Sequence, residues 1–103
     1  MIGEPWDETA AGTGAGATAT HAAVAGSTHV ITSVSGHTDA DATLQIKDDT
    51  AVVWEGKIDI SIEGTQLFPV PPKISATAGN AVSAVISAST ADCQVNVSGY
   101  TLL

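Results

Sequence analysis

The sequence predicts an all-β domain built as one antiparallel β-sandwich, and three observations carry that expectation. The first is the stretch Val52–Glu63, VVWEGKIDISIE. Val52, Trp54, Gly56, Ile58, Ile60 and Ile62 form one row at period 2, and Val53, Glu55, Lys57, Asp59, Ser61 and Glu63 form the other. A pleated strand sends successive side chains to opposite faces, so the first row is apolar and covered and the second is wet. On a helix the same isoleucines and charges would scatter around the axis. Second, turn residues recur roughly every 8–12 positions, the spacing of sandwiches and barrels. Third, Pro69, Pro71 and Pro72 interrupt an otherwise extended piece. They cannot donate ladder hydrogen bonds, which places that piece at a sheet edge or on a crossover between sheets. Together these predict a jelly-roll-like sandwich of seven or eight strands over residues 18–103, preceded by a flexible N-terminal arm, residues 1–17.

The arm, MIGEPWDETAAGTGAGA, holds four of the ten glycines and three acidic residues and shows no sustained period. Its one large anchor is Trp6, beside Pro5, and these two are the candidate partner-binding residues, with the arm ordering as Trp6 docks on a neighbouring subunit. Residues 18–25 suit a first strand, closed by the Gly26-Ser27 turn. Thr28–Ser35 is rich in β-branched residues, with Val30, Thr32 and Val34 on one face and Ile31 and Ser33 on the other. A loop over residues 36–41 follows. Ala42–Lys47 alternates with Leu44 and Ile46 inward, and Asp48-Asp49-Thr50 turns the chain into the long central strand. Beyond Gly64 an extended piece carries Leu67 and Phe68, and residues 73–77 make a short strand at most. After the turn at residues 78–80, residues 81–89 put Val82, Ala84, Ile86 and Ala88 on one face. The last strand, Cys93–Leu102, turns Val95 and Val97 inward.

Composition narrows the function classes. The chain has 103 residues, enough for one domain, and only 4% of them are aromatic, which predicts a thin core. Net charge is −8 and there is no arginine. Nucleic-acid binding rests on lysine and arginine neutralising phosphates, so no nucleic-acid partner is expected, and an anionic membrane surface is disfavoured for the same reason. No apolar run approaches the ~20 residues of a spanning helix, and no basic-then-apolar N-terminal pattern suggests a secretory signal. Cys93 is the only cysteine, so an internal disulfide is excluded, and its place in an alternating strand predicts a buried core thiol.

Candidate chemistry is sparse. His21, His29 and His37 are spaced eight apart, but Gly26 and Gly36 interrupt any single strand that would line them up. They are expected to be ordinary surface or loop histidines. The alternative is a trimer in which one of them, repeated about the axis, holds a metal. Asp39, Asp41, Asp48 and Asp49 flank one strand in the loops at its two ends. Asp39 and Asp41 could share a calcium ion, but no loop has the spacing of a helix–loop–helix calcium site, so solvated carboxylates are expected. No nucleophile has a base at motif spacing, and GTGAG lacks the Lys and Ser/Thr of a phosphate loop. The reading is no enzyme, no cofactor and no metal.

The pieces HVITSVSG, TLQIKDDTAVVWEGKIDI, LFPVPPKISATAGNAVSAVISAS and QVNVSGY occur in an order similar to that of small all-β proteins encoded among the virion structural genes of tailed bacteriophages. The Phe-Pro-Pro crossover, a Gly-Asn turn and an alternating Val/Ala strand carry most of the resemblance, which covers roughly residues 18–102 and brings no functional residues with it. It implies a head decoration (cement) protein, made in the host cytoplasm and ending on the capsid surface of the virion. There it would bridge copies of the major capsid protein, as a homotrimer. The rival reading is a tail-fibre or receptor-binding module for a cell-surface glycan. Such sites favour exposed aromatic platforms, and here Trp54 lies on the inward row. A tail or neck component is a third reading.

Overall fold

Period-2 alternation runs through most of the chain. The computed structural model describes residues 3–13, 16–58, 65–87 and 92–102, and it turns that alternation into eight strands. They are β1 (Gly3–Thr13), β2 (Ala17–His21), β3 (Thr28–Thr38), β4 (Ala42–Asp48), β5 (Ala51–Ile58), β6 (Thr65–Ser75), β7 (Val82–Ser87) and β8 (Asp92–Leu102). A front sheet has the order β1-β8-β3-β6 and a back sheet the order β2-β7-β4-β5. Every pairing is antiparallel. The expectation of an all-β chain with two antiparallel sheets is met.

Between the sheets lies one apolar cluster. Leu44 and Ile46 of β4, Ala84 and Ile86 of β7, and Val95 and Val97 of β8 are all fully buried in it, with Ile31 and Val34 of β3 and Ile58 of β5 beside them. Cys93 is a buried free thiol at the same level, as its strand position predicts. Each fully covered Val, Leu or Ile contributes roughly 1.5–3 kcal/mol of transfer free energy. Branched aliphatics on the two inner faces therefore supply what the scarce aromatics cannot.

Three expectations are corrected, and the proline piece, expected at an edge or on a crossover, takes the first of those places. Residues 3–13 are no free arm: β1 pairs with β8 along its whole length, from Gly3↔Leu102 to Thr13↔Asp92. Its covered positions, Trp6, Glu8, Ala10 and Gly12, do alternate, but mostly as small or charged residues that give no hydrophobic signal. The ladder and the waiting surface of β8 hold the strand in place. In β3 the register slips between Ile31 and Ser33. A bulge there lets Ile31 and Val34 face the same core, where strict alternation puts them on opposite sides. The Val52–Glu63 stretch supplies β5, which is an edge strand and not a central one. Ile46 pairs with Trp54 and Lys47 with Val52, so Val53 is an extra residue. That bulge turns Val52 out to 48% exposure, while Trp54 is half-buried against the core and Ile58 fully so. The continuation from Asp59 to Glu63 lies outside the described residues, as does Ala88. Finally, the proline piece and residues 73–75 form one strand, β6, which sits at the front-sheet edge beside β3, where missing N–H donors cost least.

Candidate functional site

β1 is the outer strand of the front sheet and β2 the outer strand of the back sheet, so there is a seam where the two sheet edges meet. Trp6 reaches across it. Its indole stacks on the His21 ring, centroids 4.4 Å apart and planes 9° from parallel. His29 of β3 meets both rings edge-on, at 4.6 Å from His21 and 6.0 Å from Trp6. His21 Nδ1 and Glu8 Oε2 are 2.8 Å apart, a second tie between β1 and β2. Gly99, opposite Trp6 in the ladder, leaves room for the indole, since a Cβ there would come within 2.8 Å of Trp6 Cζ2. The indole N–H is buried and has no hydrogen-bond partner among the described residues. Outside the stack, Glu4, Pro5, Trp6, His21, Val24 and Thr101 line an open cleft of about 240 Å³.

The structure thus brings together Trp6, His21 and His29, which sequence reasoning kept apart, and leaves His37 exposed toward the far end of β3. His29 is no surface histidine. It is fully buried, with Nε2 2.8 Å from the Ala22 carbonyl and Nδ1 2.8 Å from Thr101 Oγ1. A carbonyl only accepts, so Nε2 carries the proton, and in the neutral ring Nδ1 accepts from the Thr101 hydroxyl. With both nitrogens engaged, His29 is a brace between the β2–β3 loop and β8. His29→Leu keeps the bulk and leaves the buried Thr101 hydroxyl without its partner, at ~1–3 kcal/mol, while the Ala22 carbonyl on the exposed loop can turn to water. Denaturant titration is expected to register that loss; a change below ~0.5 kcal/mol would show that the brace carries no weight.

The aspartates divide by strand end. Asp48, at the end of β4, clamps the β6–β7 turn. Its Oδ2 accepts from the Thr77 amide (2.9 Å) and hydroxyl (2.8 Å), and its Oδ1 accepts from the Asn80 amide (3.0 Å). Asp49, at φ 57°, donates its N–H to the Ala81 carbonyl. Asp39 and Asp41 lie at the opposite end of β4, so the four do not converge. Among the described residues no three His, Cys, Asp or Glu side chains form a metal-holding group.

Desolvation pushes the Asp48 carboxyl up, and the bonds from Asn80 and Thr77 outweigh it, leaving its pKa below the ordinary value. On the front sheet, hydrogen bonds from Ser98 and Asn96 likewise lower that of Asp7, against a smaller desolvation. A carboxyl depressed in the folded state contributes stability that is fully present above its unfolded pKa of ~3.9 and lost as pH falls through the folded value. The melting temperature contribution of these groups is therefore expected to hold from pH ~7 to ~5 and to decline below pH ~4. Asp48→Asn should melt earlier than wild type at neutral pH and lose less on acidification. Parallel melting-versus-pH curves for the two proteins would contradict the assignment.

Compared with family models, curated proteins and solved structures, the chain matches none. The one sequence signal that pointed to the seam was Trp6 itself. Its docking surface is its own chain, a contact among three strands of two sheets that no local spacing encodes.

Proposed function

We propose that this chain is a jelly-roll structural protein of a bacteriophage particle, decorating the capsid exterior and bridging neighbouring subunits without catalysing a reaction. The observation that carries the reading is the pairing scheme: β1 with β8, β2 with β7, β3 with β6 and β4 with β5. A chain folded once into a long hairpin makes those four pairs in turn. Wrapping the ribbon then adds β3 with β8 and β4 with β7, which completes two sheets. That winding supports a jelly roll, an architecture used by viral capsid domains and by lectins. Architecture alone does not choose between them. The choice of a capsid role rests on the order of pieces similar to phage virion proteins.

Bridging needs contact surface. Edge strand β5 offers Val52 and Val53, 48% and 45% exposed, and an unpaired edge with apolar side chains invites another chain. Pro5 and the rim of Trp6 offer a second contact at the cleft beside the seam. A homotrimer at a local three-fold point of the lattice would present three copies of these contacts to the major capsid protein, so that weak contacts act together. The experiment is a cryo-electron reconstruction of particles made with and without this gene. The expected result is density on the capsid exterior that fits the sandwich and disappears from the deletion particles. Density confined to tail or neck, or particles that never contain the chain, would overturn the reading. Sedimentation of the purified protein should give three times the monomer mass; a monomer would remove the trimer from it.

A further inference from the structure

The outward face of the front sheet holds another cleft, of about 290 Å³, lined by Thr9 of β1, Ser35, Gly36 and His37 of β3, and Gln94 and Asn96 of β8. The ladder arranges these side chains in two rows. Thr9, Asn96 and Ser35 are cross-strand partners, and so are Gln94 and His37. Their sequence neighbours Val34, Val95 and Val97 are fully buried on the core side, so alternation turns this set toward solvent. Two hydroxyls, two amides and one imidazole therefore converge on one concave patch.

One wall is tied together by hydrogen bonds before anything binds. Asn96 Nδ2 donates to Thr9 Oγ1 and to Asp7 Oδ1, both at 2.8 Å, and approaches the Glu8 carbonyl at 3.3 Å. Ser98 Oγ donates to the same Asp7 oxygen at 2.6 Å and also lies 3.3 Å from Asn96 Oδ1. Ser98 has one hydroxyl proton, committed to the shorter bond, so Asn96 Oδ1 keeps accepting capacity to spare. Groups already held in place lose little entropy when a ligand arrives.

The lining also selects a chemical class. None of its six residues is Asp, Glu, Lys or Arg, and a chain of net charge −8 repels anions. What remains is a neutral ligand that both donates and accepts hydrogen bonds at several points. The volume lies at the lower end of small-molecule sites, which run from ~300 Å³ upward, and suits one ring at a time. We propose that this cleft binds a neutral carbohydrate, with a sugar ring seated on Thr9, Ser35, His37, Gln94 and Asn96 and held by hydrogen bonds, since the lining has no Trp, Tyr or Phe to serve as a stacking platform. The proposal goes beyond the capsid role and does not depend on it.

The test is an amide NMR titration of the full chain with glucose, galactose, mannose, N-acetylglucosamine and their short neutral oligomers, with hyaluronate as the anionic control. The expected result is shifts confined to the Thr9, Ser35, His37, Gln94 and Asn96 region for at least one neutral sugar, with Kd near ~1 mM for a single ring. Gln94 is exposed and outside the Asp7 network, so Gln94→Ala should weaken binding by about tenfold with the melting temperature unchanged. Ser35→Ala should act in the same direction. The proposal is overturned if no neutral sugar shifts these amides, if hyaluronate shifts them as strongly, or if both variants bind as wild type does. It is also overturned if the cleft responds only to capsid protein. Because the measurement uses the isolated chain, its failure leaves the capsid reading standing.

Discussion

Leu44→Ala is expected to cost this domain more stability than Trp54→Ala, although tryptophan is the larger side chain. Leu44 sits in β4, an interior strand of the back sheet, and is fully buried. It faces the front sheet so closely that a Cβ on Gly36 would come within 2.9 Å of its methyl group. Removing it opens a cavity that packed strands on both sides cannot close, at ~2–5 kcal/mol. A domain of this size has ~5–15 kcal/mol in all. At ~4–8 °C per kcal/mol, the melting temperature should fall by roughly 8–40 °C. Trp54 lies on edge strand β5, half-exposed, with its ring over Gly56, so solvent already reaches much of what its loss would uncover. Thermal melts of the two variants decide the matter, and the reverse order would place the core elsewhere.

Gly99→Ala is expected to be nearly as damaging, for the opposite reason. Gly99 lies in β8 between Trp6 of β1 and Ile31 of β3. An added Cβ would sit 2.1 Å from the Val30 carbonyl oxygen and 2.8 Å from the Trp6 ring. A side chain can swing aside, but the Val30 backbone is held in the ladder. Overpacking of cores costs ~1–3 kcal/mol, and more where backbone must move. A loss of about 3 kcal/mol would lower the melting temperature by upwards of roughly 12 °C. Hydrogen exchange should also rise first in β1, whose seam contact through Trp6 is pushed out, while β4 stays protected. A variant that melts within a few degrees of wild type, with β1 protected as before, would show that the strand gives way easily.

What the sequence determined by itself was the fold class and the inward rows. Val95 and Val97, Leu44 and Ile46, and Val82, Ala84 and Ile86 were legible because alternation of branched aliphatics with polar residues is a local property of a strand with one covered face. The prolines of β6 marked an edge or a crossover for an equally local reason, the missing donor, and the sheet order makes it an edge. Only the tertiary structure decided the rest. The bulge at Thr32 brings Ile31 to the same core as Val34, and the one at Val53 turns Val52 out while Trp54 and Ile58 keep their inward places; a register slip is visible only against a partner strand. β1 was hidden because Ala, Gly and Thr carry no hydrophobic signal, and its place comes from hydrogen bonds to β8, distant in the chain. The Trp6–His21–His29 seam and the polar cleft of Thr9, Ser35, His37, Gln94 and Asn96 each draw on three strands. Spacing along one strand sets which face a side chain takes, but the order of strands in the two sheets sets which strands become neighbours, and both clusters exist only where those two conditions coincide.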